Sequence, residues 1–575
     1  KKNELKKIMM LHKAFLLQRK GSALWIASAR RRLFCSSSSG INYLTEILNA
    51  VRVYEVAKET PLVRAPMLSE RFGCEVLVKR EDMQPVFSFK IRGAYNKIAQ
   101  LNAKERAAGV VACSAGNHAQ GVALSCKTLG LRGVIVMPRG TPRIKVDAVR
   151  AHGGESVEVK LHGDAYDDAA AEANRLVLEE GLTLIHPFND PAVIAGQGTI
   201  GLEILRQRAG KRLDAIFCCV GGGGLLAGVA AYVKRVRPEV KVYGVEAEDA
   251  AGMTASLQAG SRVDLDHVGL FADGAAVRSI GDETFRVCSQ LVDGMITVNN
   301  DEICAAIKTA FQDTRAVLEP AGALALAGMY KHLQHASSLN LDTASSTPTK
   351  REREAATPTY VAVASGANMD FDRLRFVSEN ADRSEVRLSL RIPETPGAFR
   401  ELYMKIYPCN VTEFSYRFHR ADRPADIILA FQPKTNLWFK RLSDAGYQPR
   451  DITSDELTKS HLRHIAGGRA PPNGMTERVF RFEFPESPGA LNRFLERLDA
   501  AVVTSDPAAK FNCSLFHYRN YGHDFGRVLV ALQLPSTLPA SAMDAFLSDL
   551  GYRYVEESNN PTYLQFLAPV VDDDE

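Results

Sequence analysis

The final third of the chain carries one unit twice, and a tandem repeat restricts the possible folds more than any single motif does. Pro393-Glu394-Thr395-Pro396-Gly397-Ala398 returns 92 residues later as Pro485-Glu486-Ser487-Pro488-Gly489-Ala490. Phe414-Ser415-Tyr416-Arg417 returns after 102 residues as Phe516-His517-Tyr518-Arg519, and Leu442-Ser443-Asp444-Ala445-Gly446-Tyr447 after 105 as Leu547-Ser548-Asp549-Leu550-Gly551-Tyr552. The order is kept and the spacing grows only by loop-sized insertions. Each copy reads strand, Pro-Gly turn, helix, strand, strand, helix, which predicts an α+β βαββαβ ferredoxin-like module. The copies span 384–468 and 476–567.

Ahead of the repeat, residues 50–335 alternate β-rich runs with helical stretches. The runs are Glu75–Lys79, Val110–Cys113, Gly133–Val136, Ser156–Val159, Ala215–Val220 and Lys241–Val245. Helical patterns fall at Ile91–Asn102, Ala119–Leu129, Ala165–Glu180 and Leu225–Val236. That rhythm predicts an open α/β sheet with βαβ crossovers. Residues 336–358, rich in Ser, Thr and charge, read as a flexible insertion before a strand at Tyr360–Ala364. The best candidate for a membrane span, the uncharged run Ala215–Val233, holds four consecutive glycines, which would weaken a spanning helix. It reads as strand, glycine loop and helix, and no membrane span is expected.

The net charge of +4 is unevenly spread. Residues 1–45 hold ten Lys or Arg and a single acid, Glu4, so the rest of the chain stands at −5. A mildly acidic body argues against a nucleic-acid or anionic-membrane surface. The ten cysteines show no CxxC pair, so neither a zinc framework nor a secreted disulfide pattern is expected, and no metal site is assigned. From Met10 to Gly40 there is no acid, while arginines and the run Ser36 to Ser39 accumulate. This is the pattern of an organellar presequence, and residues 1–40 are predicted to be a mitochondrial transit peptide.

Four segments carry candidate chemistry. In Ser88-Phe89-Lys90-Ile91-Arg92-Gly93-Ala94 a lysine lies among apolar residues, where desolvation lowers an amine's pKa as a Schiff-base lysine requires. Ser114-Ala115-Gly116-Asn117-His118-Ala119-Gln120-Gly121 is a small-residue turn into a helix, whose free N–H groups suit a carboxylate or phosphate. His118 there reads equally as a base, a cap or a core residue. Gly221-Gly222-Gly223-Gly224-Leu225, between a strand and a helix, fits a single phosphate better than a dinucleotide. Ser365-Gly366-Ala367-Asn368 follows the strand at Tyr360–Ala364 and taken alone is only a loop.

In this order, and followed by a doubled unit, the four segments resemble the fold-type II pyridoxal-phosphate enzymes, and among them the biosynthetic threonine dehydratases (threonine ammonia-lyases). The resemblance covers residues 45–567. It implies a catalytic domain of the tryptophan synthase β-like type, two α/β subdomains over residues 41–380, followed by two ACT-like regulatory domains. It implies pyridoxal 5′-phosphate as cofactor, held covalently by Lys90. Asn117 would meet its ring oxygen, Gly221, Gly222, Gly223, Gly224 and Leu225 its phosphate, and Ser365 its ring nitrogen. Ser114, Ala115, Gly116, Asn117 and His118 would cradle the substrate carboxylate. Arg92 is read as structural.

The implied reaction is deamination of L-threonine to 2-oxobutanoate and ammonia, the first step of isoleucine biosynthesis. Isoleucine is the implied feedback inhibitor and valine the activator, in a homotetramer or homodimer located in mitochondria. The alternatives are a serine dehydratase or serine racemase of the same fold, or an amino-acid sensor with vestigial catalysis. Serine racemases carry a second catalytic serine where Ala115 stands, and an acidic pair for a divalent cation where this chain has Glu246 and Gly252. Both differences favour the lyase, and an intact Lys90 disfavours the sensor.

Overall fold

The computed structural model describes residues 40–339, 357–371, 373–381, 385–393, 398–407, 409–415, 424–433, 438–455, 457–458, 476–485, 490–500, 511–519, 525–534, 539 and 541–567. The expected transit peptide, most of the expected insertion, and the turns Pro396-Gly397 and Pro488-Gly489 lie outside these residues. Two compact units are present, one ending at Asp370 and one beginning at Phe371. The helix Arg373–Asn380, expected within the catalytic domain, is part of the second unit, where the Arg527 guanidinium lies 5.9 Å from the Phe376 ring.

In the first unit the alternating pattern, which by its rhythm alone predicts one sheet, builds two, in keeping with the two α/β subdomains that the resemblance implies. The larger has the strand order Leu62–Arg64, Glu75–Arg80, Thr359–Ala364, Ala215–Cys219, Lys241–Ala247, Gly294–Val298. Only its first pair is antiparallel. The smaller is parallel throughout, in the order Val157–Leu161, Gly133–Met137, Val110–Cys113, Thr183–Leu184. Strands covered on both faces read as continuous apolar runs, and Ala215–Cys219 and Val110–Cys113 are buried at every position. The strand Thr359–Ala364 enters between Glu75–Arg80 and Ala215–Cys219, which carries Ser365 to the segment before Lys90. Ser88 and Gly366 form a bridge there.

Element ends differ from the sequence reading for local reasons. The helix expected at Ile91–Asn102 spans Lys90–Ala99, because Asn102 instead caps the next helix: its side chain accepts from the Glu105 N–H while Glu105 reaches back. The expected insertion at 336–358 begins later, since the helix Pro320–Leu339 continues through its first four residues. Among the described residues no helix is long and apolar enough to cross a membrane, and the described cysteines are free thiols, most of them buried.

The Lys90 helix is fixed from beneath by buried charges. Arg92, fully buried, donates from Nε and Nη2 to Glu81 at 2.8 Å each, and from Nη1 to Glu203 at 2.6 Å and to Thr199 at 3.0 Å. Lys79 Nζ, also fully buried, donates to Glu203 at 2.5 Å and to the Thr60 carbonyl at 2.6 Å. Two carboxylates and two cations balance, so the network survives without water. It joins the Lys90 helix to Pro191–Gln207, where Gly196 lets the Arg92 carbonyl approach: a Cβ there would stand 2.6 Å from it. Arg92 is thus structural, as the sequence reading has it.

In the second unit each copy of the repeat folds as the predicted βαββαβ module. The first has strands Val386–Ile392, Asn410–Ser415, Ala425–Gln432 and Arg450–Asp451, with helices Ala398–Ile406 and Trp438–Asp444. The second has strands Thr476–Pro485, Asn512–Arg519, Phe525–Leu534 and Arg553–Glu556, with helices Ala490–Ala500 and Ser541–Leu550. Both sheets are antiparallel with their strands ordered second, third, first, fourth. Even the irregularity in the second strand repeats, at Val411/Glu413 and at Cys513/Leu515. Alternation sends Leu388, Leu390 and Leu429 to one core and Phe480, Phe482 and Val530 to the other. The opposite sheet faces meet through Ile428, Ile452, Val479, Leu529 and Tyr563.

Candidate active site

The four segments converge at one place in the first unit. Lys90 opens its helix, and its Nζ donates to the Pro187 carbonyl at 2.9 Å. Burial pulls the amine down to about 8, against the opposing effect of Cys219 and Glu319. Pro187 belongs to a turn that sequence reasoning missed, His186-Pro187-Phe188-Asn189. His186 Nδ1 accepts the N–H groups of Phe188 at 3.2 Å and Asn189 at 2.8 Å and so shapes that turn. Burial and the Lys90 charge hold His186 down at about 4, so it stays neutral.

Phe188 of the same turn covers the glycine loop. A Cβ on Gly222 would collide with Cγ of the Phe188 ring, and one on Gly221 would stand 3.0 Å from the Ala275 backbone. Gly223 adopts φ +93°, a conformation other residues avoid, and the helix Gly224–Val236 starts directly after it. Thr284 Oγ1 donates to the Gly222 carbonyl at 2.6 Å and pins the loop from behind. Leu225 is buried in the first turn of that helix. The result is a narrow cradle with a helix N-terminus at its base, the chemistry a phosphate requires.

Asn117 is the first residue of the helix Asn117–Leu129, directly after Gly116. Its Nδ2 donates to Glu319 Oε1 at 2.5 Å and its Oδ1 accepts from Asn368 Nδ2 at 2.6 Å. Ser114 Oγ accepts the Gly116 N–H at 3.3 Å, and Ala115 is partly buried beside it. His118 is a core residue: its Nε2 bonds the Ile185 carbonyl at 2.8 Å, and burial pushes it down to about 3. A base or a charged substrate ligand is not what that environment makes of it. Ser365 is buried, accepts from Cys219 Sγ at 3.2 Å and donates to the Ala321 carbonyl at 3.3 Å. Ser88 Oγ, two residues before Lys90, is buried and has no hydrogen-bond partner among the described residues.

The donor set fits pyridoxal 5′-phosphate: an amine of lowered basicity, a glycine cradle that any Cβ would fill, an amide, a hydroxyl, and a buried hydroxyl left to bond. Glu246 lies apart in function. It accepts the N–H groups of Met253 at 2.8 Å and Thr254 at 2.9 Å, so it caps the helix that Gly252 begins. Besides the 186–189 turn, the sequence reading missed Glu319, whose one available signal was an acid preceding Pro320 at a helix start, and gave Asn368 no role.

Two family models match the chain. One, described as pyridoxal-phosphate dependent enzyme, covers residues 53–343, and the other, C-terminal regulatory domain of threonine dehydratase, covers 378–462 and 468–567. The chain is 51% identical over 544 residues to the Burkholderia multivorans protein named L-threonine dehydratase biosynthetic IlvA, covering 92% of this chain and 99% of that one. It is 48% identical to the Schizosaccharomyces pombe protein named threonine dehydratase, mitochondrial, covering 90% of this chain and 82% of that one. Among solved structures, the processed form of threonine deaminase isoform 2 from Solanum lycopersicum matches with a TM-score of 0.54 at 48% identity, over 59% of this chain and 87% of that one.

Proposed function

The chain belongs to the pyridoxal-phosphate-dependent threonine dehydratases, and on that premise we propose how its residues divide the work. It is a threonine ammonia-lyase, converting L-threonine to 2-oxobutanoate and ammonia. The cofactor, when bound, supplies an electron sink for the charge left as the substrate's Cα proton departs. Lys90 Nζ, with a pKa near the working range, is the group that takes that proton. The glycine loop and the first turn behind it would hold the phosphate, Asn117 the ring oxygen and Ser365 the ring nitrogen. A hydroxyl at Ser365 would set no full charge beside the ring nitrogen, an environment that would favour prompt loss of the β-hydroxyl. Ser114, Ala115, Gly116 and Asn117 offer the start of a helix to the substrate carboxylate. His118 contributes to this segment from the core, as a neutral ring.

The observation that carries this reading is the 186–189 turn. One residue of it receives Lys90 Nζ and the next covers the glycine loop, so amine and phosphate cradle are held together. Full-length protein given L-threonine is expected to release 2-oxobutanoate and ammonia in equal amounts. Pyruvate from serine alone would instead favour a serine dehydratase.

The paired modules are the proposed effector domains. Isoleucine is expected to raise the threonine concentration needed for half-maximal rate several-fold, which corresponds to a coupling of about 1–3 kcal/mol, and valine to oppose it. Rates indifferent to both amino acids would leave the modules a structural role. The mitochondrial address is supported by the basic, acid-poor segment 1–40 and by the name of the Schizosaccharomyces pombe relative. A reporter fused to residues 9–45 is expected to enter mitochondria, and diffuse cytosolic signal would refute the address.

A further inference from the structure

Asn117 is held from both ends, in one sense only. Asn368 spends one Nδ2 hydrogen on the Val86 carbonyl at 2.8 Å and offers the other to Asn117 Oδ1 at 2.6 Å. At the far end Asn117 Nδ2 donates to Glu319 Oε1 at 2.5 Å. An ionised carboxylate accepts and never donates. Turning the Asn117 amide over would therefore set N–H against N–H on one side and oxygen against oxygen on the other. With this orientation locked, Asn117 has a second Nδ2 hydrogen to offer.

The fold makes deliberate room for the carboxylate. Glu319 is buried, directly ahead of Pro320, the first residue of its helix, and its backbone N–H donates to the Gly366 carbonyl at 3.2 Å. A Cβ on Gly366 would collide with Glu319 Oε1. A glycine in the Ser365 segment is thus what admits the anchor of the Asn117 segment.

We propose that Glu319 is a positioning residue that sets the polarity of the Asn117 amide, so that Asn117 presents a donor and never an acceptor to the ring oxygen of pyridoxal 5′-phosphate. This rests on the reading that Asn117 meets the cofactor. Glu319 also acts at a distance: its charge raises the basicity of Lys90 against the effect of burial. Lys90 captures the cofactor only as the neutral amine, so capture speeds up as pH rises through the Lys90 pKa. Removing the carboxylate's charge lowers that pKa and moves the midpoint to lower pH.

The test uses full-length protein stripped of cofactor and reloaded with pyridoxal 5′-phosphate, following the absorbance that appears on attachment across a pH series, with affinity measured by equilibrium dialysis. Glu319→Gln keeps the shape, removes the charge and lets the amide take either sense. Its affinity is expected to fall about 10-fold, within the range for a hydrogen bond to a charged group, and its capture midpoint to shift to lower pH. Asn368→Leu removes the other anchor; it should lose affinity while keeping the wild-type midpoint. Asn117→Ala separates the two layers of the argument. If it binds cofactor as tightly as wild type, the role given to Asn117 is wrong. If it binds weakly while Glu319→Gln keeps both affinity and midpoint, the proposal for Glu319 is overturned. Should Glu319→Gln fail to fold, unchanged affinity in Asn368→Leu overturns the directional row.

Discussion

Replacing Lys90 by alanine is expected to abolish the visible absorbance of covalently held cofactor and to cut threonine turnover by at least about 10³-fold. Two losses combine in one residue: the covalent attachment and the group that takes the Cα proton. The glycine cradle, Asn117 and Ser365 remain, so the variant should still bind the cofactor reversibly, more weakly and without the attached chromophore. Absorption spectroscopy and a 2-oxobutanoate assay on the same preparation check this. Turnover within tenfold of wild type would show that another amine does the work and would remove Lys90 from the centre of the mechanism.

The second large effect is structural. Arg92→Leu leaves Glu81 and Glu203 buried with Lys79 as the remaining cation of the network. Breaking a buried ion pair from one side costs about 3–5 kcal/mol, because the abandoned charge has no water to return to. For a unit of this size that corresponds to a fall in Tm of about 4–8 °C. Calorimetry should place the loss in the transition of the catalytic unit. Arg92→Lys should recover only part of it, since an ammonium cannot span two carboxylates as the guanidinium fork does. A melting curve within 2 °C of wild type, about the effect of 1 kcal/mol or less, would mean that the network is dispensable. Lys90, two residues away, is held by the same helix, so cofactor capture is expected to slow in Arg92→Leu even below its melting range.

The doubled module was legible in the chain because its signals are local. The Pro-Gly pair, the Phe-x-Tyr-Arg run and the Leu-Ser-Asp-x-Gly-Tyr run recur in order, and the elements they mark need only neighbours in sequence to form. The four chemical segments were legible for the same reason: a lysine among apolar residues, a run of glycines and a small-residue helix start each declare their chemistry within a few positions. Tertiary structure decided what depends on distance across the fold. Two sheets form where the βα rhythm suggested one, because the rhythm is the same whichever sheet a strand joins. His118, open on sequence grounds to three readings, became a neutral core ring once Ile185 and burial surrounded it. Pro187, Phe188 and Glu319 entered the site from 97, 98 and 229 residues beyond Lys90, and no local pattern marks a backbone carbonyl as an amine's partner. Chain order encodes which groups are present; the packing of Thr359–Ala364 between two earlier strands brings Ser365 and Asn368 to Lys90 and Asn117, because hydrogen bonds of 2.5 to 3 Å exist only after the sheet has closed.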